Sequence, residues 1–157
     1  MLTHVLLAIA MIAPAPAFTT TETGPRGLWS DGDGLLAVTG YDKVELSCRT
    51  GQRITVHDVK GLRDVDGAWV DGAPVVAAVG EARELVLSRG GRWSLRAVPA
   101  GTDEKTIAVA VDPRGKVVVL GETQAVYRLD GERWDVLRFP AGSARAVALA
   151  VRADGDI

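Results

Sequence analysis

Three aspartates stand at the same position in three similar stretches of this chain, and their type and spacing could support chemistry. Asp31 lies in GLWSDGDGLLAVTG, Asp71 in GAWVDGAPVVAAVG and Asp112 in AVAVDPRGKVVVLG. Carboxylates gathered on one face would bind a cation or a basic ligand. An aspartate in a turn also accepts hydrogen bonds from backbone amides two residues further on, and this structural role needs no ligand. Both interpretations stay open at the level of sequence.

The segment Asp31-Gly32-Asp33-Gly34 partly matches a calcium-binding loop. It lacks the third acidic or Asn ligand and the distal bidentate Glu that the 12-residue pattern requires. No metal site is therefore predicted.

Two tryptophans extend the candidate site. Trp29 and Trp69 stand two residues before Asp31 and Asp71, where they could form a stacking platform for a sugar or a peptide. The alternative is that their indoles pack between neighbouring units. The third stretch has Ala110 there, so packing does not demand an indole in every copy. The predicted ligand-binding residues are Trp29, Trp69, Asp31, Asp71 and Asp112.

The sequence gives little support for a catalytic nucleophile or for a site built from histidines. Cys48 is the only cysteine, which excludes an internal disulfide and a multi-cysteine metal site. His57 is the only histidine after His4, so a Ser/His/Asp triad or a multi-histidine metal site is not expected. No catalytic residue and no cofactor is predicted.

The net charge of the chain argues against one class of partner, nucleic acid. The formal net charge is −2 over 157 residues. A protein that neutralises phosphates would carry a basic excess, so no nucleic-acid partner is expected.

The start of the chain has the pattern of an export signal. An apolar run from Val5 to Ala13 is followed by the small residues of 15–17, as at a signal-peptidase site. The run is shorter than the ~20 residues that span a bilayer. We predict a signal peptide at 1–17, a linker at 18–26 and a location that is secreted, periplasmic or in the cell envelope. The alternative is a disordered or buried apolar start.

The elements that position these residues repeat along the chain. Gly40, Gly80 and Gly121 are 40 and 41 residues apart, and each period contains short apolar stretches separated by turn residues. In the second copy the pattern predicts strands at 63–70, 75–79, 84–88 and 93–98. The predicted units are 27–61, 62–106, 107–144 and a partial one at 145–157.

A four-stranded antiparallel unit with this period is typical of a β-propeller blade. The chain resembles bacterial propellers of the BNR-like, kelch-like or WD40/YVTN-like kind, through Val111, Asp112, Gly115 and Gly121 and through the Asp-Gly-x-x-Trp segment that ends at Trp134. The sialidase-type Asp box and the Gly-His of WD40 blades are missing, so no catalytic residue is carried over from those families.

The predicted fold is all-β, a propeller-type arc of about three blades. Closed propellers have 4 to 8 blades, so we expect either a truncated reading frame or a ring assembled from several chains. The expected partners are the remaining blades of a longer chain, or further copies of this chain bound through open strand edges. The predicted function is an exported, non-catalytic binding or scaffolding module for a protein or glycan. The alternative is the N-terminal part of a propeller enzyme that acts on glycans, of the sialidase or lyase type.

Overall fold

The protein is described by a computed structural model at residues 26–47, 53–56, 59, 61–81, 83–101, 104–123, 125–140 and 148–151. The predicted signal peptide, most of the linker, Cys48, His57 and most of the final partial unit lie outside these residues.

The described residues form twelve strands and no helix. The strands are β1 (Gly27–Ser30), β2 (Leu36–Thr39), β3 (Val44–Ser47), β4 (Arg53–Val56), β5 (Leu62–Val70), β6 (Ala73–Gly80), β7 (Glu84–Arg89), β8 (Arg92–Ala97), β9 (Thr106–Val111), β10 (Val117–Gly121), β11 (Ala125–Asp130) and β12 (Arg133–Arg138).

These strands pair only with their neighbours in the chain and make three four-stranded antiparallel sheets. The first sheet holds β1 to β4, the second β5 to β8 and the third β9 to β12. The predicted all-β arc of three blades is confirmed. The four strands expected in the second unit are all present, each within two residues of its predicted bounds.

The core lies between the sheets, as expected when each blade buries its faces against its neighbours. One buried cluster joins the first and second sheets through residues such as Ala37, Val65 and Val76. Another joins the second and third sheets, and it includes Leu87 and Tyr127. The innermost strands β1, β5 and β9 also contact one another in succession across these two seams.

The turn of the first hairpin is longer in the first and third sheets than in the second, and this difference sets the geometry of the site. Residues 31–35 link β1 to β2 and residues 112–116 link β9 to β10, so each of these turns has five residues. Both turns hold a glycine with positive φ at the same position, Gly34 at 113° and Gly115 at 79°. The second sheet has Pro74 there, and proline fixes φ near −65°, so the same turn cannot form.

The second sheet closes its hairpin with a two-residue turn instead. Asp71 and Gly72 both have positive φ, 51° and 76°, as a type I′ turn requires. The β5–β6 ladder consequently extends to the pair Val70 and Ala73.

Because the ladder is longer, β5 is shifted by three residues relative to β1 and β9 when the three strands are compared through the residues they pair with. Ala37, Ala77 and Val118 occupy the same aligned position, but they pair with Trp29, Asp66 and Ala110 respectively. The structural counterpart of Trp29 is therefore Asp66, and the prediction that Trp29 and Trp69 share one position is wrong for the folded sheets.

Candidate ligand-binding site

Asp31 organises the first turn from inside. Its Oδ1 atom accepts hydrogen bonds from the backbone N–H groups of Asp33, Gly34 and Leu35, at 2.8, 3.0 and 3.0 Å. Partial burial acts against ionisation of Asp31, but the hydrogen bonds from Trp69 and these amides outweigh it, so its pKa lies below the usual value. Asp31 is thus an anion at neutral pH that holds its own turn.

Asp112 has the same structural role in the third sheet. Its Oδ1 atom accepts from the N–H groups of Arg114 and Lys116, both at 2.8 Å. Only 3% of Asp112 is exposed. A residue so enclosed is poorly placed to meet a ligand, and its role as a ligand contact stays a prediction.

Asp71 differs from both. It is exposed and occupies the first position of the type I′ turn, beside Gly72. Its carboxylate is therefore available at the surface, unlike that of Asp112.

Trp69, like Asp71, is an exposed residue of the predicted site. It lies near the end of the extended β5, and half of its surface, 50%, is exposed. Its indole Nε1–H donates a hydrogen bond of 2.9 Å to Oδ2 of Asp31 in the neighbouring sheet. The structure thus brings Trp69 and Asp31 together across the seam between the first two sheets.

Trp29 is packed against this same seam. Its ring covers Gly67, where an added Cβ would lie 2.9 Å from ring atoms Cδ2 and Cε2. Gly67 and Trp69 point to the same side of β5 because they are two residues apart. Trp29 is only half-buried and also contacts the apolar cluster of the first seam, so it combines a packing role with some exposure.

The other two tryptophans pack between sheets. Trp93 contacts the cluster of the first seam and Trp134 the cluster of the second. Neither had been included in the predicted binding set.

Two carboxylates that sequence reasoning missed lie at the second seam. Oδ2 of Asp64 accepts a hydrogen bond of 2.9 Å from the N–H of Val109, and Oδ2 of Asp66 accepts one of 2.7 Å from the N–H of Val111. These amides belong to β9, the innermost strand of the third sheet. Burial raises the pKa of both aspartates, and the amide hydrogen bonds only partly offset it.

The signal for these residues was the Asp-Val-Asp alternation inside a predicted strand. Alternate residues face the same side, so the two carboxylates had to share a face of β5. The pattern could not show that this face meets β9, since that depends on how successive sheets pack.

A third carboxylate is enclosed at the opposite end of the third sheet. Glu104 accepts a hydrogen bond of 2.5 Å from the hydroxyl of Tyr127 and others from the N–H and hydroxyl of Thr123. Burial opposes ionisation of Glu104, but these bonds prevail and lower its pKa. Burial and the contact with Glu104 raise the pKa of Tyr127 to about 12. With every oxygen engaged, this cluster anchors β11 and leaves no free group for a substrate.

Clusters of metal-ligating side chains and long apolar helices are absent from the described part of the chain. No group of three or more His, Cys, Asp or Glu side chains there is arranged to hold a metal ion. No helix among the same residues is long and apolar enough to cross a bilayer.

Comparison with known proteins identifies the fold. No protein-family model matches the chain, and no curated protein matches it either. Among solved structures, the one titled streptogramin B lyase is similar, with a TM-score of 0.69 at 15% identity over 88% of this chain. This chain spans about half of that structure, 48% of its length.

Because 114 solved chains match this architecture, the likeness alone does not select a function. At this level of identity it supports a β-propeller-like fold, and the narrower BNR, kelch or WD40 assignment stays a prediction. This chain is therefore similar in fold to a propeller lyase, and no family is assigned to it.

Proposed function

We propose that this protein is an exported binding module that holds a protein or glycan ligand against Trp69. The observation that carries the proposal is the combination of exposure and fixation at this residue: half of the Trp69 surface is exposed, yet its indole Nε1–H donates a hydrogen bond of 2.9 Å to Oδ2 of Asp31. A side chain already fixed before binding loses less conformational entropy when a ligand arrives. Tryptophan also supplies a large apolar face for stacking.

The residues that hold Trp69 in place are themselves fixed by hydrogen bonds and by a tight turn. Asp31 is held by three amides of its own turn, and Trp69 stands on an extended hairpin closed by a tight turn. The platform is thus built from two neighbouring sheets, and a ligand would lie over the seam between them.

The test is a screen of immobilised glycans and extended peptides against the protein and its Trp69→Ala variant. We expect any ligand found to lose about ten-fold or more in affinity in the variant, as for a central aromatic contact. Leu95→Ala is the matched control, since Leu95 is similarly exposed, at 54%, but lies on β8 away from the platform. Equal losses in the two variants, or none in either, would reject the proposal.

The second candidate is a propeller enzyme acting on a glycan or by a lyase reaction. The observation that favours it is the pair Asp64 and Asp66 on the innermost strand of the second sheet, both with raised pKa. Carboxyl groups with raised pKa are suited to acid and base catalysis near neutral pH. The solved structure most relevant to this candidate is itself titled a lyase.

This alternative is tested by assaying the protein for cleavage of streptogramin B and of sialoside substrates. An enzyme using these groups would lose its activity in both Asp64→Asn and Asp66→Asn while keeping the Trp69 platform. Activity that persists in both variants would show that the two aspartates serve only the seam.

A further inference from the structure

The surroundings of Trp69 are anionic. Asp31 and Asp33 lie on the first turn of the first sheet, and Asp71 lies two residues beyond Trp69 on the turn of the second. Among the residues that the structure describes, none of these three carboxylates forms an ion pair with a lysine or arginine. The turns 31–35 and 71–72 contain no basic residue at all.

The corresponding turn of the third sheet has the opposite character. It carries Arg114 and Lys116, and Lys116 pairs with Asp130 at 2.6 Å. The guanidinium of Arg89 also reaches this turn and donates a hydrogen bond of 2.8 Å to the carbonyl of Gly115. Arg89 also lies near Val70, which precedes Asp71, since both side chains approach a Cβ placed at Gly115, at 3.1 and 3.3 Å. The basic groups thus border the side of β5 that faces the third sheet, whereas the turn 31–35 on the Trp69 side carries only acidic charge.

The hydrogen bond to Asp31 affects the ring as well as its position. A carboxylate that accepts from the indole N–H polarises the donor, in the way that linked hydrogen bonds polarise one another. Electron density on the ring attracts a cation placed over its face, and tryptophan is the strongest of the aromatic residues in this respect. The ionised state of Asp31 at neutral pH maintains both effects.

From this geometry we infer that the Trp69 platform takes an organic ammonium group, which stacks on the indole face between the carboxylates of the two turns. The inference rests on the proposed binding function and names the ligand chemistry of that site. A neutral sugar ring would use the same indole face and could donate hydroxyl hydrogen bonds to the carboxylates, but it would lack both the cation–π attraction and the charge attraction of the three carboxylates. A lysine side chain or a trimethylammonium headgroup would gain from both.

The experiment compares two small probes of nearly the same shape, choline and 3,3-dimethylbutan-1-ol. The second replaces the quaternary nitrogen of choline by carbon, so the pair differs in charge alone. Binding is followed by the NMR signal of the Trp69 indole N–H, which is assigned through its loss in Trp69→Phe. The indole signal of Trp134, packed between the second and third sheets, serves as the internal control.

We expect choline to shift the Trp69 signal with an affinity roughly five-fold or more above that of the neutral probe, as a cation–π contact predicts. The double variant D33N/D71N should weaken choline by about two- to five-fold and leave the neutral probe unchanged. Asparagine tolerates positive φ, so the turn at residue 71 should be retained in this variant. Its thermal unfolding checks that retention.

Methyl β-D-glucoside is the third probe and separates the two proposals. If the glucoside moves the Trp69 signal while choline binds no better than its neutral partner, the cation inference is overturned and the binding function stands. If none of the three probes moves that signal, the cation inference is also overturned, and the binding function is then decided by the glycan and peptide screen alone.

Discussion

Gly67 shows how a single missing Cβ positions the platform. The ring of Trp29 lies directly on this glycine, and the carbonyl oxygen of Val75 would also be 2.9 Å from an added Cβ. No flexible side-chain end can move away, since one neighbour is backbone and the other is an indole fixed in the seam.

We therefore expect Gly67→Ala to lower the free energy of unfolding by about 1–3 kcal/mol, the usual cost of overpacking. Urea unfolding followed by tryptophan fluorescence measures it. Gly90→Asn is the control, because nothing lies within 4 Å of a Cβ at Gly90 and its positive φ suits asparagine. If Gly67→Ala were as stable as the control, the close contact with Trp29 would be disproved.

At this scale sequence reasoning identified part of the site. The turn role of Asp31 and Asp112 follows from residue type, since a short carboxylate reaches amides two to four residues ahead. The bond between Trp69 and Asp31 was not predictable, because it joins residues 38 apart across two sheets. Only the packing of those sheets brings the two side chains together.

At the scale of the elements, the second seam depends on Asp64 and Asp66. At the first seam, Gly27 lies directly against the backbone of Asp64 and Val65. The second seam also has an apolar cluster, and in addition its carboxylates accept hydrogen bonds from the β9 amides. Burial of the two carboxylates destabilises their charged form, while the hydrogen bonds from the β9 amides stabilise it, so the two effects oppose each other at the second seam.

This opposition predicts different outcomes for two substitutions of Asp66. Asp66→Ala leaves the N–H of Val111 without its acceptor and should cost about 1–3 kcal/mol of stability. Asp66→Asn keeps an oxygen acceptor and removes the desolvated charge, so it should be at least as stable as the unchanged protein at neutral pH. Urea unfolding of both variants is the measurement.

The pH dependence has a defined sign. The pKa of Asp66 is raised above 3.8 in the folded state, so its contribution to stability is present below that value and is lost as pH rises through the folded-state pKa. The free energy of unfolding of Asp66→Asn should therefore rise relative to that of the unchanged protein as pH increases from about 4 through the folded-state pKa of Asp66. A constant difference over that range would contradict the assignment.

The strands themselves were predictable, while their register was not. Turn glycines and apolar runs marked the four strands of the second unit. The three-residue shift of β5 escaped detection because the copies align without a gap. Its cause was nevertheless visible in Pro74, which cannot adopt the positive φ of Gly34 and Gly115.

At the scale of the whole molecule, the described residues cover one face of the third sheet only in part. Leu149 and Val151 pack against its inner part, near Ala108 and Leu120. Its outer part holds a groove of about 280 Å³ lined by Val126, Arg128, Asp135, Val136 and Leu137. Val136 and Leu137 are 46% and 57% exposed.

Exposed apolar faces promote association. So do strand edges such as that of β12, which pairs only with β11 among the described strands. We predict that the chain expressed alone forms oligomers whose size increases with concentration, and that Leu137→Lys reduces this association. Light scattering over a range of concentrations measures it. Leu95→Lys is the control, since Leu95 is as exposed as Leu137 but lies on the second sheet. A monodisperse monomer at every concentration would contradict the prediction.

The contact between Trp69 and Asp31 also bears on how such repeats can be engineered. It needs a tight turn in one unit and a five-residue turn in the unit before it. In a chain assembled from identical copies of residues 62–106, Trp69 of one copy would face the two-residue turn of the copy before it. The nearest aspartate would then be Asp71, which is not held by the amides of a five-residue turn as Asp31 is. Averaging the units into a consensus would therefore erase the platform, since it exists only at the junction of two unlike repeats.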